Sequence, residues 1–463
     1  MGTENALVVD ARVTGRPMSS IIHKFREILS SFDVISYKRG AAIIAMLRTV
    51  IGEKNFRKGL THYLKKHSFK CTKSEDLWQA LSDVCEGVKG PSGSSLDLKN
   101  FGTQWTKMMG YPLVTARFSS DTLEITQQRY TLNTSIQEHE KYRSPRQSYK
   151  WDVPIWLKTK RGDTILEWLK ANEPLHINLG SLQMPVVINP HRNGYYRQNY
   201  DSVGWELIAA QFTQNSVFDR YTRYVLLSDA FSAAAIGQLE YELVFKLIRY
   251  AYSSKKGEKS YLNRVLRPIA YEIRKKFLAE ETEFAKYIRK QNESSKERIT
   301  GRLDWKSVRW ESNTALNVAV SVLDLYCRLG SACSSLSRSL FEREVLHRCD
   351  ATAKASECVG IHSNFRGVAY CHGIKELGNV AFQKVSNFLM IEDDADERRR
   401  LCTGLGCIQN LHLLKGKLLE VLDKKNAYDD REIADVFRSV AKNQLSDKLL
   451  FRFCISNWKA IHD

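Results

Sequence analysis

The segment FDVISYKRGAAIIAMLRTVIG, from Phe32 to Gly52, carries the clearest structural signal in the sequence. After Ala41 its apolar residues recur at the spacing of an α-helix, and the pattern stops at Gly52. Apolar residues resume at the same spacing between Phe56 and Leu64. The segment therefore predicts two antiparallel helices.

Tyr37 lies within this segment, just ahead of the small residues Gly40 and Ala41 that begin the helix. Small residues allow a backbone to approach a site closely. A phenolic O–H can donate a hydrogen bond at neutral pH and so stabilise a developing negative charge. A tyrosine buried at a helix terminus is the commoner arrangement, however, and the residues alone favour that interpretation.

The rest of residues 1–110 also has helical periodicity. Thr72 and Glu75 form a capping-box pattern ahead of a third helix. A loop rich in glycine and serine follows over 87–95, and a fourth helix carries an apolar stripe that begins at Phe101. We therefore expect residues 1–110 to form a helical region.

After Pro112 the period of the apolar residues changes from 3.6 to 2, which is typical of strands. The alternation predicts three β elements: a hairpin over 114–125, a hairpin over 153–169 and a late strand over 184–188. Short strands in this number indicate a small β-sandwich over 111–195.

From Trp205 onward the sequence is helical again, with short polar breaks between elements. The predicted helices include Tyr221–Leu239, Tyr241–Tyr252, Tyr261–Leu278 and Ser312–Arg328. Helices that follow one another through short links indicate an α-solenoid of stacked pairs, of the ARM or HEAT type, over 196–463. The sequence shows no residue-level repeat of fixed period. The predicted fold class is therefore multidomain and mainly α.

The composition is that of a soluble globular protein, with 43% hydrophobic and 26% charged residues. Single hydrophobic cores stop growing at roughly 250 to 300 residues, so a chain of 463 residues is expected to form two or three domains. No apolar run approaches the roughly 20 residues that a membrane-spanning helix needs. The beginning of the chain also lacks the basic start and apolar core of a signal peptide.

The formal net charge of +18 raises the question of a nucleic-acid or anionic-membrane partner. Basic residues are spread over the whole length, and runs such as RRR (398–400) stand beside acidic residues. This distribution is typical of solvated helix faces, so we predict no nucleic-acid site.

The eleven histidines include no H-E-x-x-H motif. His62 and His67 are five positions apart on a predicted helix, about 140° apart around its axis, and cannot hold one ion as an i, i+4 pair can. The sequence also lacks a glycine-rich phosphate loop and a nucleophile elbow. From the residues alone, no complete active site is visible.

Several motifs occur in one order along the chain: ISYKRGA (35–41), EDLW (75–78), WTKMMGYP (105–112), NGYYRQNYD (193–201) and LSDAF (227–231). In this order they resemble the aminopeptidase N family of zinc aminopeptidases, which are gluzincins. The resemblance covers nearly the whole chain, although Arg39 stands where the family has a lysine.

The resemblance implies a catalytic role for Tyr37. In the family this tyrosine donates a hydrogen bond to the oxyanion of the zinc-bound tetrahedral intermediate. The family's zinc ligands, general base and G-x-M-E-N substrate loop all lie upstream of the tyrosine, and we expect them to fall before Met1. GTEN (2–5) is one residue shorter than that loop and too close to Tyr37, so it receives no substrate-binding role.

The resemblance also implies a domain organisation. Residues 1–110 correspond to the helical carboxy-terminal part of the catalytic domain, 111–195 to the β-sandwich and 196–463 to a helical domain that is incomplete at its end. Zinc is expected for the full-length family member, and none is expected to bind to this chain in the family's mode.

The ten cysteines contain no C-x-x-C pair, which argues against a zinc ribbon. The resemblance implies two disulfides, Cys327–Cys333 and Cys371–Cys407. Free buried cysteines, which are common in cytosolic helical proteins, are the alternative.

Paired cysteines would place the chain in an extracellular or plasma-membrane ectodomain, with any membrane anchor outside this sequence. The glycosylation sequons at Asn133 and Asn292 fit a secreted path, although such sequons also arise by chance.

Taken together, the sequence predicts the carboxy-terminal fragment of a zinc metalloaminopeptidase that removes amino-terminal residues from peptides and is inactive as this chain alone. The alternative is a zinc-less paralogue that binds peptides or a partner protein. A scaffold driven only by positive charge is a weaker third hypothesis. The resemblance also leaves a homodimer open.

Overall fold

A computed structural model describes residues 2–119, 122–132, 137–142, 149–160, 162, 164–178, 180, 184–213, 218–253, 327, 333–350, 352–423, 425–426, 428–443 and 445–462. The chain is mainly helical with a small sheet region, as the sequence predicts. It divides into two compact units, Met1–Glu258 and Lys259–Asp463.

The first unit begins with five helices and one π-helical turn. They are α1 (Gly2–Asp10), α2 (Phe25–Ser30), the π-helical turn Ile35–Arg39, α3 (Gly40–Lys66), α4 (Ser74–Ser82) and α5 (Leu98–Lys107). The backbone of α3 breaks at Gly52, where φ is 79° and ψ is 154°. Glycine adopts this positive φ without the steric cost that a side chain would add, which explains the break in the apolar pattern.

The start of α4 differs from the predicted capping box. Asp76, rather than Glu75, accepts a hydrogen bond from the backbone N–H of Lys73 at 2.7 Å. The helix therefore begins at Ser74, beyond the Thr72 that the pattern indicates. The start of α5 is capped by Asp97, whose carboxylate accepts from the N–H of Asn100 at 3.0 Å.

Both predicted hairpins are present, in two separate sheets. The strands are β1 (Pro112–Ser119), β2 (Thr122–Arg129), β3 (Val153–Lys158), β4 (Thr164–Leu169), β5 (Leu175–Asn178) and β6 (Arg197–Tyr200). One sheet has the order β5-β2-β1-β6, and β3 pairs with β4 in the other. In the larger sheet β6 pairs with β1 in parallel, whereas β1 with β2 and β2 with β5 form antiparallel pairs.

The late strand predicted over 184–188 is wrong. Only an isolated bridge between Val187 and Lys158 forms there. Pro185 has no N–H to donate to a sheet, which weakens this segment as a strand. Strand β6, which apolar periodicity did not predict, supplies the parallel edge of the larger sheet instead.

Three further helices complete the described part of the first unit: α6 (Ser202–Thr213), α7 (Arg220–Ala235) and α8 (Tyr241–Ser253). Helix α7 ends earlier than the predicted Leu239, because Gly237 has a φ of 74° two residues after the last helical position. The predicted helix over 241–252 is present as α8.

All described secondary-structure elements of the second unit are helical. Its elements are α9 (Cys333–Phe341), the π-helical turn Glu342–Leu346, α10 (Ala355–Cys358), α11 (Ser363–Leu377), α12 (Asn379–Ile391), α13 (Ala395–Leu405), α14 (Leu411–Leu422), α15 (Asp430–Ala441), α16 (Asp447–Ser456) and α17 (Trp458–His462). Alternate helices pack together, α9 on α11, α11 on α13 and α13 on α15. The solenoid itself stays a prediction. The predicted helix over 261–278 and most of 312–328 lie outside the described residues.

Disulfides link helices of the second unit to neighbouring loops. Cys371 on α11 is bonded to Cys407, 36 positions along the chain. Cys349 is bonded to Cys358, a pair that the sequence analysis did not find. Cys327 also takes part in a disulfide.

The resemblance implies that Cys333 is the partner of Cys327. Cys333 is the first residue of α9, and its side chain is not among the described ones.

The thiols allow a test of the second unit's packing. Cys71 is exposed, whereas Cys402 is buried and its burial raises the pKa of its thiol to about 12. Because the thiolate is the reactive form, iodoacetamide should alkylate Cys71 in the native protein and Cys402 only after denaturation. Mass spectrometry of the labelled protein checks this result. Equal labelling of the two native thiols would contradict the buried position of Cys402.

Gly102 allows a test of how α4 and α5 pack in the first unit. A Cβ at this position would overlap the indole ring of Trp78. Gly102→Ala should therefore lower the free energy of unfolding of the first unit by about 1–3 kcal/mol, as overpacked cores typically show. Lys99→Ala, at an exposed position of the same helix, is the matched control and should change it by no more than about 0.5 kcal/mol. Urea denaturation followed by tryptophan fluorescence measures both, and equal transitions would contradict the contact.

Candidate active-site segment

The π-helical turn Ile35–Arg39 carries Tyr37 and leads directly into α3. Tyr37 is 60% exposed, so it is not the buried tyrosine that the residues alone favour. Its ring centroid lies 6.4 Å from that of Phe32. Single π-helical turns are frequent at functional sites. The turn therefore leaves the phenolic side chain of Tyr37 accessible at the protein surface.

Arg16 holds the amino-terminal side of this turn. Its guanidinium donates to the Asp33 carboxylate at 2.8 and 3.2 Å and to the Ser36 hydroxyl at 2.7 Å. It also donates to the backbone carbonyl of Ser31 at 3.1 Å. The same Asp33 carboxylate accepts from the backbone N–H of Ser36 at 2.9 Å. These contacts fix the residue that immediately precedes Tyr37.

Arg39 holds the carboxy-terminal side. It is fully buried and donates to the Asp10 carboxylate at 3.1 Å. It also donates to the carbonyls of Trp105 and Met108, at 2.9 and 2.8 Å. These carbonyls lie at the end of α5, where helix carbonyls lack partners and carry partial negative charge. Arg39, at the position where the resembling family has a lysine, thus ties the Tyr37 turn to α1 and α5.

Asp10 is satisfied by further donors besides Arg39. Its carboxylate accepts from the backbone N–H of Gly110 at 3.1 Å and from the hydroxyl of Tyr195 at 3.0 Å. Burial raises the pKa of Tyr195 well above its ordinary value, so this hydroxyl stays protonated and remains a donor. These donors, together with Arg39, replace the hydrogen bonds to water that the Asp10 carboxylate loses on burial.

The other end of α1 enters a buried charge cluster made of Glu4, Arg192, Arg197 and Asp229. Arg192 donates to Glu4 at 2.7 Å and with both terminal nitrogens to Asp229 at 2.7 and 2.8 Å. Arg197 donates to Asp229 at 2.8 Å. Burial opposes ionisation of Glu4, but the two arginines outweigh it and hold its pKa below the ordinary value. Two cations and two anions balance in this cluster.

This cluster brings residues from two of the sequence motifs into contact. NGYYRQNYD (193–201) supplies Arg197, and LSDAF (227–231) supplies Asp229. Helix α1 joins this cluster through Glu4 and the Tyr37 turn through Asp10. The sequence analysis did not find these partners, because contacts between residues so far apart leave no local pattern.

A cavity of about 480 Å³ lies beside the Tyr37 turn. Arg16, Ser36 and Gly40 line it on the side of the turn. The rest of the wall contains the Glu27–Lys141 ion pair together with hydroxyl-bearing and apolar side chains, among them Ser19, Ser20, Ser74, Ile43, Leu77 and Trp78. Its volume is within the range of small-ligand pockets.

The described residues contain no group of three or more His, Cys, Asp or Glu side chains that could hold a metal ion. Of the histidines considered from sequence, His62 lies 3.2 Å from the Asp83 carboxylate on the surface. The described part of the chain therefore does not fit the zinc site of the resembling family. The sequons at Asn133 and Asn292 lie outside the described residues.

Among the described helices, none combines the length and apolar character needed to cross a membrane.

The buried Asp10–Arg39 pair allows a direct test. Asp10→Ala leaves the Arg39 charge buried without its carboxylate and should lower the free energy of unfolding by about 3–5 kcal/mol. Glu53→Ala removes an exposed carboxylate that pairs with Arg48 and Arg57, and should cost no more than about 1 kcal/mol. Urea denaturation of both variants measures the difference. Similar costs for the two would show that the buried pair does not stabilise the fold.

Comparisons with known proteins agree with the motifs. A family model described as the peptidase family M1 domain matches residues 2–105, and one described as the ERAP1-like C-terminal domain matches residues 185–463. The chain is 34% identical to an aminopeptidase N of Haemonchus contortus over 471 aligned residues, covering 99% of this chain and 48% of that protein.

Two mammalian relatives are more distant. A glutamyl aminopeptidase of Rattus norvegicus is 28% identical, with 97% of this chain and 45% of the relative covered. A thyrotropin-releasing hormone-degrading ectoenzyme of Homo sapiens is 25% identical, with 98% and 42% covered. The chain spans about half the length of the curated relatives that it matches. With both family models and the motif order in agreement, the chain belongs to the M1 family of aminopeptidases and carries that family's ERAP1-like C-terminal domain.

Proposed function

We propose that this chain is the carboxy-terminal portion of an extracellular zinc aminopeptidase that removes amino-terminal residues from peptides. In this proposal Tyr37 donates a hydrogen bond to the oxyanion that develops on the attacked carbonyl. The observation that carries the proposal is the exposed hydroxyl-bearing side chain of Tyr37 on a turn held from both sides, by Arg16 and by Arg39.

The physical basis of this role is preorganisation. A hydrogen-bond donor stabilises a developing negative charge most when its position is fixed before the reaction. Arg16 fixes Ser36, and Arg39 lies two residues beyond Tyr37 in the buried network. The backbone on either side of Tyr37 is therefore restrained, while the side chain remains accessible.

The chain alone is proposed to be inactive. M1 aminopeptidases depend on zinc, and the described residues contain no group that would hold it. Large apolar side chains around the turn are also exposed: Ile21 at 73%, Phe25 at 74%, Leu29 at 59% and Phe32 at 66%. An exposed apolar surface of this kind is typical of an interface, and we assign it to the remaining part of the catalytic domain.

The disulfides support the extracellular location. Within the described residues Cys349 is bonded to Cys358 and Cys371 to Cys407, and Cys327 also takes part in a disulfide. Disulfides persist in oxidising compartments and are rare in the cytosol. One relative is itself named an ectoenzyme.

The proposal is tested with the chain alone and with a fusion protein. The fusion joins the part of Haemonchus contortus aminopeptidase N that lies amino-terminal to its matched region to the amino terminus of the present sequence. The chain alone should bind far less than one equivalent of zinc and should not hydrolyse an aminoacyl p-nitroanilide. The fusion should be active, and Tyr37→Phe should lower its kcat by about 10²- to 10³-fold with little change in KM, as expected on losing one oxyanion donor.

Tyr221→Phe in the same fusion is the matched control, because Tyr221 is a partly exposed tyrosine on α7, outside the Tyr37 turn. It should leave kcat unchanged. An active fusion that keeps its kcat after Tyr37→Phe would refute the role of Tyr37. Zinc-dependent turnover by the chain alone would refute its inactivity. A folded, zinc-free chain that binds peptides, together with an inactive fusion, would favour the zinc-less paralogue.

A further inference from the structure

The stretch from residue 54 to residue 73 departs from the even distribution of charge along the chain. It contains seven basic residues and no acidic residue: Lys54, Arg57, Lys58, Lys65, Lys66, Lys70 and Lys73. All seven are exposed. The positive charge of the protein is therefore concentrated locally on this surface.

Four of these residues form a line on the second half of α3. Lys54, Arg57, Lys58 and Lys65, here called the basic stripe, fall within about 100° around the helix axis and extend over about 16 Å. Beyond the end of the helix, Lys70 is a further exposed basic residue. A linear arrangement of cations matches a linear polyanion better than it matches a single small anion.

Most of the stripe's charge is available to a partner. Arg57 pairs with Glu53 at 3.1 Å and Lys58 with Glu86 at 3.4 Å, and all four side chains of these pairs are more than half exposed. Exposed pairs of this kind contribute little and exchange readily. Within the described residues, no salt bridge involves Lys54 or Lys65.

The opposite side of the same helix is occupied. Helix α3 packs against α4, and Gly59 approaches Leu81 so closely that a Cβ would overlap its side chain. A helix that binds a bilayer from its surface needs a free apolar face on one side and a polar face on the other. Leu64 and Phe69 are the large apolar side chains exposed in this stretch. Two such side chains do not make up the continuous apolar face that binding to a bilayer surface needs, which argues against an anionic membrane as the partner.

We propose that the basic stripe binds a sulfated polysaccharide chain of the heparin class. Clustered Lys and Arg side chains on one surface attract polyanions such as nucleic acids and heparin. The disulfides of the second unit indicate an oxidising, extracellular setting, in which sulfated polysaccharides rather than nucleic acids are the available linear polyanions. This inference rests on the proposed location, but it does not depend on the role of Tyr37.

The test compares two triple variants of the full chain on immobilised heparin. Lys54→Gln, Lys58→Gln and Lys65→Gln remove charge from the basic stripe, whereas Lys99→Gln, Lys160→Gln and Lys415→Gln remove the same charge from exposed lysines elsewhere. The stripe variant should bind heparin roughly tenfold or more weakly at physiological salt. The slope of log K against log salt should fall by about two to three, because three counterion-releasing contacts are lost.

The control variant separates a local site from a bulk effect of charge. Circular dichroism first confirms that both variants keep the helical content of the unaltered chain. Unchanged heparin affinity of the control, with loss in the stripe variant, supports the proposal. Equal losses in the two variants would show that only net charge matters and would overturn it. Tighter binding to a single-stranded oligonucleotide, or to phosphatidylserine vesicles, than to heparin would also overturn it.

Discussion

The buried ion pair between Asp10 and Arg39 is the contact on which the arrangement around Tyr37 depends. A charged pair removed from water needs further hydrogen bonds to compensate both partners for their lost hydration. Asp10 gains them from Gly110 and Tyr195, and Arg39 from the carbonyls at the end of α5. Each partner added for this purpose joins another element to the Tyr37 turn. The pair thus connects α1, the Tyr37 turn, α5 and the segment before β6.

Much of the fold could be predicted from local patterns, and the errors have local physical causes. The break at Gly52 and both hairpins follow from apolar periodicity. The apolar residues of 184–188 are consistent with a strand, but Pro185 cannot donate to a sheet and only Val187 forms a bridge. The start of α4 shifts because Asp76, rather than Glu75, reaches the first free N–H.

The candidate site was less accessible to sequence reasoning. Tyr37 was found through family resemblance, and its exposure contradicts the burial that its position alone favours. The residues that hold its turn, Arg16 and Arg39, gave no pattern of their own, because their partners lie up to 69 positions away. The Cys349–Cys358 bridge was missed for a related reason, since spacing alone does not specify which cysteines pair.

Helix α1 has a consequence for the order in which the first unit folds. Glu4 contacts Arg192, 188 positions along the chain, and Ser228, 224 positions along. During synthesis α1 leaves the ribosome long before either of these partners exists. Contacts of such large sequence separation form late, because the loop between them must close first. Helix α1 must therefore wait for the last third of the first unit, and until then the charged and apolar groups that it buries in the folded unit stay exposed.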